Sequence, residues 1–568
     1  MRLSLVCVCL LAGCAAVPVA RASELLTNNN GRAMEYGVTY SFQPAIEHRV
    51  PSALTDGEVR TMYYLAGALQ WAPGEEPSVR FNLGKRMLVT EVDVWFGGKV
   101  SLGLETESGA VDLGDAEWHR VEYPETSWLR VKDLALLADT VTLSATNPGG
   151  RVEITEVEIW GEPADNFNML GELLFSAWPP VAGQPVNVSV AVRNTAESAL
   201  DAGTVTFRVR QGDEERELGS AQVGPVQPGR EARAAVAWQP ENNGRYLLTA
   251  ECPGGGEVTA EVPVLQRRLY LAWYGAAHAE RLKWVNVAMN TEGLAAERWI
   301  ERGAIPLTWA GGYCYKEKTE DEFVQYWNDA LRGSPTGLAI DEFGCDYGGE
   351  VDQKMAAALR RVKAEHPEAF LLVWNAGALQ DVLMAGYRVG ADLVLPETYM
   401  QYLGWDYGVF DRTAEQARGG GIADKTIFGL CTTTDKGGVT KEQLEEQFRY
   451  IRRVAPEFPG VGFFHSATLA PGMIEWADEL CYRYFIAPVL WLQRQPERTW
   501  LLRNIGGMDA TNVIVRWQPV GPGQGTAMFL SRVGAGSAVV LTAPAGAAEP
   551  TVEAPAGCTV LGGREGSA

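Results

Sequence analysis

The sequence has little histidine, few basic residues for its size and no long apolar run beyond its first residues. It contains 5 histidines among 568 residues and no H-E-x-x-H motif, so we expect no metal or other cofactor at the reaction site. Lysine and arginine number 49 against 71 aspartates and glutamates, giving a formal net charge of -22. Such an acidic chain lacks the cationic surface that phosphate backbones need, which argues against nucleic acid as a partner. No stretch after the N-terminus reaches about 18 uninterrupted apolar residues, the length of a membrane span.

Cysteine is also sparse, and its spacing excludes two common frameworks. Three of the nine cysteines fall within the first 14 residues; the other six are Cys252, Cys314, Cys345, Cys431, Cys481 and Cys558. Their wide separation fits neither a zinc site nor a dense disulfide scaffold. A bridge between Cys314 and Cys345 would join adjacent loops, but we predict buried free thiols.

The N-terminus "MRLSLVCVCLLAGCAAVPVARAS" predicts an export signal over residues 1–22, because a basic start is followed by a short apolar run and small residues. Two processing patterns compete. "LAGC", ending at Cys14, is a lipobox that would leave a lipidated cysteine, whereas "ARA" at residues 20–22 would release soluble protein. We predict a periplasmic, outer-surface lipoprotein or secreted protein, with membrane attachment through Cys14 slightly favoured.

Two β-rich units follow the signal, as the chain length leads one to expect. Residues 24–163 alternate polar and apolar residues in "SVRFNLG" and "VEITEVEIWGEP", which indicates a β-sandwich. With "ALTDG" at 53–57, this unit resembles the discoidin or coagulation-factor C-type domains. The resemblance implies a galactose-binding-like fold with sugar-binding loops and a candidate structural calcium, near Asp56 and Glu158, for which we assign no ligands. Residues 170–265 resemble bacterial adhesion-type immunoglobulin-like spacers.

Residues 268–490 have a different sequence pattern, in which short apolar runs alternate with segments of helical spacing. The eight runs are "LYLAWY" (269–274), "VNVAMN" (285–290), "AIPLTW" (304–309), "GLAIDE" (337–342), "FLLVWN" (370–375), "DLVLPET" (392–398), "TIFGLCT" (426–432) and "GVGFFH" (460–465). Eight βα units of this size predict a compact (β/α)8 TIM barrel. Residues 491–568 again read as strands and predict a small C-terminal β-domain.

Acidic residues at two strand ends are the catalytic candidates, because active sites of such barrels lie at the carboxyl ends of the strands. The fourth strand ends in Asp341 and Glu342, and the sixth supplies Glu397. Paired carboxylates are what glycosidic hydrolysis requires. Alternation along the fourth strand points Asp341 inward, but a bulge at the strand end would bring Glu342 into the mouth. We assign Glu342 as general acid/base and Glu397 as its partner, with Asp341 as the alternative nucleophile.

Aromatic and polar residues at the other strand ends and in the loop after the sixth strand are the candidates for substrate binding. Flat rings stack on the apolar faces of sugars, while amides and imidazoles bond to hydroxyl groups. These candidates are Trp273, Tyr274, Asn290, Trp309, Trp374, Asn375, Tyr399, Tyr402, Trp405 and His465.

The barrel with these strand ends resembles the barrels of glycoside hydrolases, and the accompanying β-modules are typical of such enzymes. The adjacent Asp-Glu pair is similar to that of β-hexosaminidases, which implies that Asp341 supports a substrate acetamido group and Glu342 is the acid. The H-x-G-G motif of that family is replaced here by "TGLAI". Acids on strands four and six resemble the α-galactosidase type of barrel, where both are Asp, so Glu397 departs from it.

The sequence therefore predicts an exported glycoside hydrolase that cleaves a polysaccharide or glycan by paired-carboxylate catalysis. The β-modules would hold the barrel near its substrate. The alternative is a non-catalytic, cell-surface carbohydrate-binding protein with a degenerate barrel. The two differ over the acids: Glu342→Gln and Glu397→Gln abolish turnover in the first case and change only affinity in the second.

Overall fold

The architecture comes from a computed structural model. It describes residues 24–25, 39–43, 69–71, 78–97, 99–106, 109–117, 127–131, 134, 136–146, 152–163, 170–194, 199–201, 203–227, 230–252, 256–274, 282–291, 293–433, 438–464, 472–519 and 525–562. The predicted signal, Cys14 and Asp56 lie outside these residues. So does His465, one of the predicted substrate-binding residues.

The first unit is an antiparallel sheet of nine described strands. Its longest strand, Ser78–Gly97, pairs with four others, and its inward residues Val79, Phe81 and Leu83 are buried. The alternation that predicted strands here is thus the pattern of one covered face. The remaining strands are Glu24–Leu25, Thr39–Gln43, Leu69–Trp71, Lys99–Thr106, Gly109–Glu117, Ser127–Val131, Leu136–Thr146 and Val152–Pro163.

The second unit consists of two antiparallel sheets that share one hydrophobic core. One sheet contains Leu170–Phe175, Val186–Asn194 and Arg230–Trp238; the other contains Glu214–Val223, Gly203–Gln211, Gly244–Cys252 and Gly256–Val264. Alternate residues such as Val188, Phe207 and Trp238 meet between the sheets. This two-layer arrangement is the one that strict alternation in both sets of strands requires.

The third unit is a nearly closed barrel of eight parallel strands, so the prediction of eight βα strands is confirmed. We number them β1 to β8: Tyr270–Tyr274, Val287–Met289, Ile305–Ala310, Gly337–Phe343, Phe370–Asn375, Leu393–Pro396, Phe428–Cys431 and Gly460–Phe464. Consecutive strands are neighbours, and β1 pairs with β8. Two isolated bridges, Val394 to Thr426 and Glu397 to Gly429, join β6 to β7.

Two hydrophobic layers explain which residues of each strand face inward. The barrel interior is filled by alternate residues such as Ala272, Leu307, Leu372 and Leu395. The residues between them, including Leu271 and Val373, pack outward against the helices. This alternation decides which side chains reach the mouth of the barrel.

Seven described α-helices surround the barrel: Gly293–Glu301, Glu320–Arg332, Glu350–Glu365, Asp381–Gly390, Gly408–Gly419, Lys441–Val454 and Met473–Cys481. The helical spacing seen between the apolar runs is the spacing of the buried faces of these helices, as for Leu444, Phe448 and Ile451 in the sixth. Thr319 and Thr440 start two of the helices with capping boxes. None of the helices in the described part of the chain is long and apolar enough to span a membrane.

The last unit contains two further sheets. One has strands Ala538–Thr542, Thr499–Asn504, Val489–Arg494 and Thr559–Leu561, and the other has Thr526–Val533, Ala510–Pro519 and Ala547–Glu553. Leu502, Val513 and Val515 lie in the core between them. The predicted β-rich character of this segment follows from these alternating residues.

The first unit contacts the barrel through Arg298, on the helix Gly293–Glu301. Its guanidinium pairs with Asp93 and Glu158 and lies 3.4 Å from Glu91 Oε1. It also lies over the ring of Trp160, with Cζ 4.1 Å from the centroid. The carboxylate of Glu158, near the predicted calcium region, thus binds an arginine. Within the described residues, no group of three His, Cys, Asp or Glu side chains is arranged to hold a metal ion.

Candidate active site

The carboxyl end of β4 carries a bulge between Ile340 and Phe343, where the pairing register with β5 shifts by one residue. Asp341 points into the barrel there. Its Oδ2 accepts a hydrogen bond from Trp309 Nε1 at 3.1 Å, and its Oδ1 accepts one from the Glu342 backbone N–H at 2.9 Å. Burial raises the pKa of Asp341, and the neighbouring charge of Glu342 adds to the rise. The two hydrogen bonds act in the other direction and lower that pKa. Both carboxylate oxygens of Asp341 are thus held in place.

Glu342 occupies the extra position of the bulge, with a backbone φ of 60°. This left-handed conformation is uncommon for a residue with a side chain, and such residues concentrate at functional sites. Its Oε2 accepts a hydrogen bond from the Cys314 backbone N–H at 2.9 Å. The thiol of Cys314 interacts with the same carboxylate.

Glycines in the loop after β3 allow this contact. A Cβ on Gly311 would collide with Cys314 and Tyr315, and one on Gly312 would collide with the Asp341 carbonyl and the Met355 side chain. Without side chains at these two positions, the loop lies directly against the end of β4. The Cys314 N–H therefore reaches the Glu342 carboxylate.

Glu397, immediately after β6, lies in the same mouth. Its Oε1 accepts a hydrogen bond from Trp374 Nε1 at 2.8 Å. Burial, followed by the negative charge of Asp341, raises the pKa of Glu397 to about 7. The Trp374 bond and the nearby Tyr399 hydroxyl oppose that rise, whereas the charge of Glu342 adds to it.

The acids of β4 and β6 lie at the same end of the barrel, and their charges influence one another. Asp341 and Glu342 both act on Glu397, and both also raise the pKa of the Tyr274 hydroxyl, which burial raises first. Within the described residues, none of the three acids pairs with a lysine or arginine. The compensating groups are neutral donors: two indole N–H groups and two backbone N–H groups.

Aromatic rings form the inner wall of the mouth. Tyr274 contacts Trp374 edge to face, with centroids 5.2 Å apart, and also lies 5.4 Å from Phe464. Tyr399 stacks on Phe464 at 5.6 Å with an interplanar angle of 23°. Phe464 is not among the predicted binding residues, because the polar His465 at the end of the run was selected instead. Alternation along β8 is the signal that identifies it.

The other predicted binding residues are more dispersed. Asn290 is exposed at the end of β2, with a φ of 55°. Tyr402 is 43% exposed on the loop after β6, with its ring 6.3 Å from that of Tyr399. Trp405, on the same loop, packs instead against the hydrophobic layer outside the barrel.

Two predicted binding residues, Trp273 and Asn375, do not face the mouth. The ring of Trp273 is fully buried between β1 and the helices, 5.4 Å from Phe463. Asn375 donates to the Gly377 carbonyl and accepts from the Tyr387 hydroxyl at 2.5 Å, so it braces the loop after β5. Both predictions were wrong for the same reason: alternation along the strand turns the neighbouring residue inward.

Two thiols adjoin the acids. All six cysteines of the described chain are free, and Cys314 and Cys345 are at least partly exposed, not buried as predicted. Burial raises the pKa of each to about 12, and the charge of Glu342 contributes to both. At neutral pH both thiols therefore stay protonated and are poor nucleophiles.

Comparisons with known proteins give only distant similarities. Neither a protein-family model nor a curated protein matches the chain. Among solved structures, the chain is similar to a GH2 β-galacturonidase from Eisenbergiella tayi, with 12% identity, TM-score 0.29 and coverage of 70% of this chain and 82% of the other. A β-glucuronidase from Bacteroides uniformis has 10% identity, TM-score 0.33 and coverage of 93% and 78%.

A further similarity is confined to a smaller part of the chain. The endo-β-N-acetylglucosaminidase from Cordyceps militaris has 11% identity and TM-score 0.30, with coverage of 38% of this chain and 90% of the other. At such TM-scores, none of these similarities supports a conclusion about the reaction. The case for function therefore depends on the residues at the barrel mouth.

Proposed function

We propose that the barrel is a glycoside hydrolase in which Glu397 donates a proton to the leaving glycosidic oxygen. The observation that carries this proposal is the environment of Glu397: Trp374 Nε1 holds its Oε1 at 2.8 Å in the same mouth as the β4 acids, and burial raises its pKa to about 7. A general acid must hold its proton near the working pH and still release it readily. Among the mouth acids, the buried carboxyl of Glu397 meets that requirement, because ionised Asp341 disfavours a second charge.

Glu342 is the second carboxylate of the pair. Its Oε2 is held by the Cys314 N–H, and the side chain is half-buried at the end of β4. A carboxylate so placed attacks the anomeric carbon or activates a water molecule. This assignment keeps the predicted pair but exchanges the roles that the sequence assigned to Glu342 and Glu397.

Asp341 acts through its neighbours. Because Trp309 and the Glu342 backbone occupy both of its oxygens, it is a positioning residue whose charge keeps the proton on Glu397. Its negative charge also favours the positive character that the sugar ring develops in the transition state. Half-buried Tyr274 provides apolar ring surface against which a sugar can lie, and the buried ring of Trp374 packs against it edge to face.

The test is a screen of the purified protein against chromogenic glycosides and soluble polysaccharides, repeated with Glu397→Gln and Glu342→Gln. Each change should lower turnover by roughly 10² to 10⁴-fold, the usual contribution of an acid/base group. Glu368→Gln is the matched control, because Glu368 is exposed and precedes the amino end of β5.

Leaving-group chemistry separates the two roles. A dinitrophenyl glycoside needs no proton donor, so it should restore much of the bond-cleavage rate in Glu397→Gln but little in Glu342→Gln. Equal behaviour of the two variants would overturn the assigned roles. Glycan binding by the wild type without any turnover would instead identify a carbohydrate receptor with a degenerate barrel, in which the two substitutions change only affinity.

For localisation, we propose export directed by residues 1–22, with lipid attachment at Cys14. The proposal rests on the sequence pattern alone, and the β-rich units would then hold the barrel near a polymeric glycan. Cys14→Ser should move the protein from the membrane fraction to the soluble exported fraction. An unchanged distribution would favour cleavage after Ala22 and release.

A further inference from the structure

The loop after β4 holds a large aromatic ring in solvent. Tyr347 is 89% exposed, and its backbone φ is 50°. Glycine adopts this conformation without cost, whereas a residue with a side chain pays for it. Because the chain keeps a bulky ring where the backbone favours glycine, the side chain itself is the feature that needs explanation.

The loop is firmly braced. The fully buried carboxylate of Asp352 accepts hydrogen bonds from the backbone N–H groups of Gly344 and Gly348, at 3.1 and 2.8 Å. Asp346 accepts a further bond from the Val351 N–H at 2.9 Å. The exposed ring is therefore displayed by a fixed backbone, which lowers the entropy cost of binding a ligand.

This loop also runs beside the mouth acids. The loop begins at Gly344, two residues after Glu342, and the charges of Glu342 and Glu397 both act on the Cys345 thiol. Tyr347 lies two residues further along, at most about 7 Å of backbone away. The ring is thus within reach of a ligand that is engaged by the acids and continues past them.

The loop after β6, two strands further round the barrel, has a corresponding feature. Tyr402, on the loop after β6, is 43% exposed, and its ring is next to Tyr399 of the inner wall. Aromatic surface thus extends outward from the acids on the β6 side. Tyr347 supplies an exposed ring on the loop after β4, so a linear ligand that extends from the acids over these two loops meets aromatic surface on both.

We propose that Tyr347 forms an outer sugar-binding subsite, so that the substrate is a linear oligosaccharide or polysaccharide that extends beyond the reacting unit over the loop after β4. This deepens the proposed function and depends on it for catalysis, though not for binding. A monosaccharide glycoside would leave the Tyr347 subsite unfilled. The subsite therefore contributes mainly to affinity for longer chains.

The experiment compares Tyr347→Gly with Tyr347→Phe. Glycine removes the ring while suiting the backbone, so folding is preserved; phenylalanine keeps the ring. The measured quantity is kcat/KM on oligosaccharides of increasing length, divided by kcat/KM on the corresponding aryl monosaccharide. We expect this ratio to fall about tenfold in Tyr347→Gly, a typical contribution of an aromatic contact, and to be retained in Tyr347→Phe.

Phe529→Ser is the matched control. Phe529 is an exposed ring of the last unit, 62% exposed and remote in sequence from the barrel strands. Its removal should leave the chain-length ratio unchanged. An unchanged ratio in Tyr347→Gly, or an equal fall in Tyr347→Phe, would overturn the subsite.

A binding assay distinguishes failure of the subsite from failure of the proposed reaction. Glu397→Gln is compared with the Glu397→Gln, Tyr347→Gly double variant by retardation in native gels containing xylan, galactomannan, laminarin or dextran. Weaker retardation of the double variant supports the subsite even where the wild type hydrolyses nothing. Equal retardation, or none with any of the four polysaccharides, rejects it.

Discussion

The molecule contains two clusters of three acids that differ in what compensates them. At the contact between the first unit and the barrel, Glu91, Asp93 and Glu158 surround the guanidinium of Arg298. At the barrel mouth, the acids lie at the ends of β4 and β6, and the groups of the described chain that bond to them are neutral donors. The same residue types thus hold two units together in one place and create a proton-holding site in the other.

The two clusters differ in whether the charged form of the carboxylates is stabilised. A buried carboxylate beside an arginine is stabilised in its charged form, and it has little tendency to exchange a proton or bind a ligand. Carboxylates that share a pocket destabilise one another, so one of them retains its proton. That instability is what acid catalysis requires, and a structural contact would gain nothing from it.

The largest effect should come from breaking the first cluster. Arg298→Met retains the apolar stem over Trp160 but leaves buried Asp93 and Glu158 without their cation. We expect a loss of about 3 to 5 kcal/mol, typical of removing one partner of a buried ion pair. Urea unfolding of the full chain measures it.

The control is Arg332→Met. Arg332 pairs with Asp329 on the same helix and is 70% exposed, so its loss should cost less than about 1 kcal/mol. Equal losses in the two variants would mean that the contact at Arg298 contributes no more than a surface pair. Adding Glu158→Gln and Asp93→Asn to Arg298→Met should recover part of the loss.

In the second cluster, the contribution of Glu397 to stability should fall as the pH rises. The pKa of Glu397 is raised from an ordinary 4.5 to about 7, so the folded state holds this proton more tightly than the unfolded state. Its contribution to the free energy of unfolding is greatest below pH 4.5, falls as pH rises to 7, and is constant above that. The change is about 3 kcal/mol at most.

Glu397→Gln should remove that slope. The quantity to measure is the difference in free energy of unfolding between the wild type and Glu397→Gln from pH 4 to pH 8. Asp478, whose pKa burial also raises to about 7, is present in both proteins and cancels in the difference. A difference that does not vary with pH would mean that Glu397 is an ordinary carboxyl group.

The two clusters also differ in how far the sequence reveals them. The mouth acids follow recognisable strands, and a parallel barrel brings the carboxyl ends of its strands together. Alternation alone places Asp341 inside. Glu342 enters through a bulge and a left-handed backbone, which no pattern of apolar residues encodes. The contact of Glu158 with Arg298 spans 140 positions and was not predicted.

The misplaced residues show which part of the sequence signal went unused. Trp273 and Asn375 were chosen because each stands near a strand end and suits sugar binding. The neighbouring residues, Tyr274 and Trp374, are the ones that alternate with the small or apolar interior residues. Tyr274 and Trp374 were predicted as well, and strict alternation along each strand would have kept these two, excluded Trp273 and Asn375, and identified Phe464.

The smallest expected effect concerns one hydrogen bond of the mouth cluster, from Trp374 Nε1 to Glu397. Trp374→Phe removes the N–H that favours ionised Glu397, so the pKa of that carboxyl should rise further. If Glu397 is the proton donor, the alkaline limb of kcat/KM moves to higher pH in this variant. The pH profile on an aryl glycoside measures this shift separately from any loss of stability.

Trp327→Phe is the matched control, because Trp327 is also buried but donates its N–H to the Gly311 carbonyl at 3.1 Å, outside the mouth. Both substitutions remove an indole N–H and leave a similar cavity, so both should lower stability. Of these two tryptophans, Trp374 is the one that contacts a mouth acid, so its replacement alone should move the alkaline limb. An equal shift in both variants would mean that the effect comes from packing. The neutral donors would then have no influence on the pKa of Glu397.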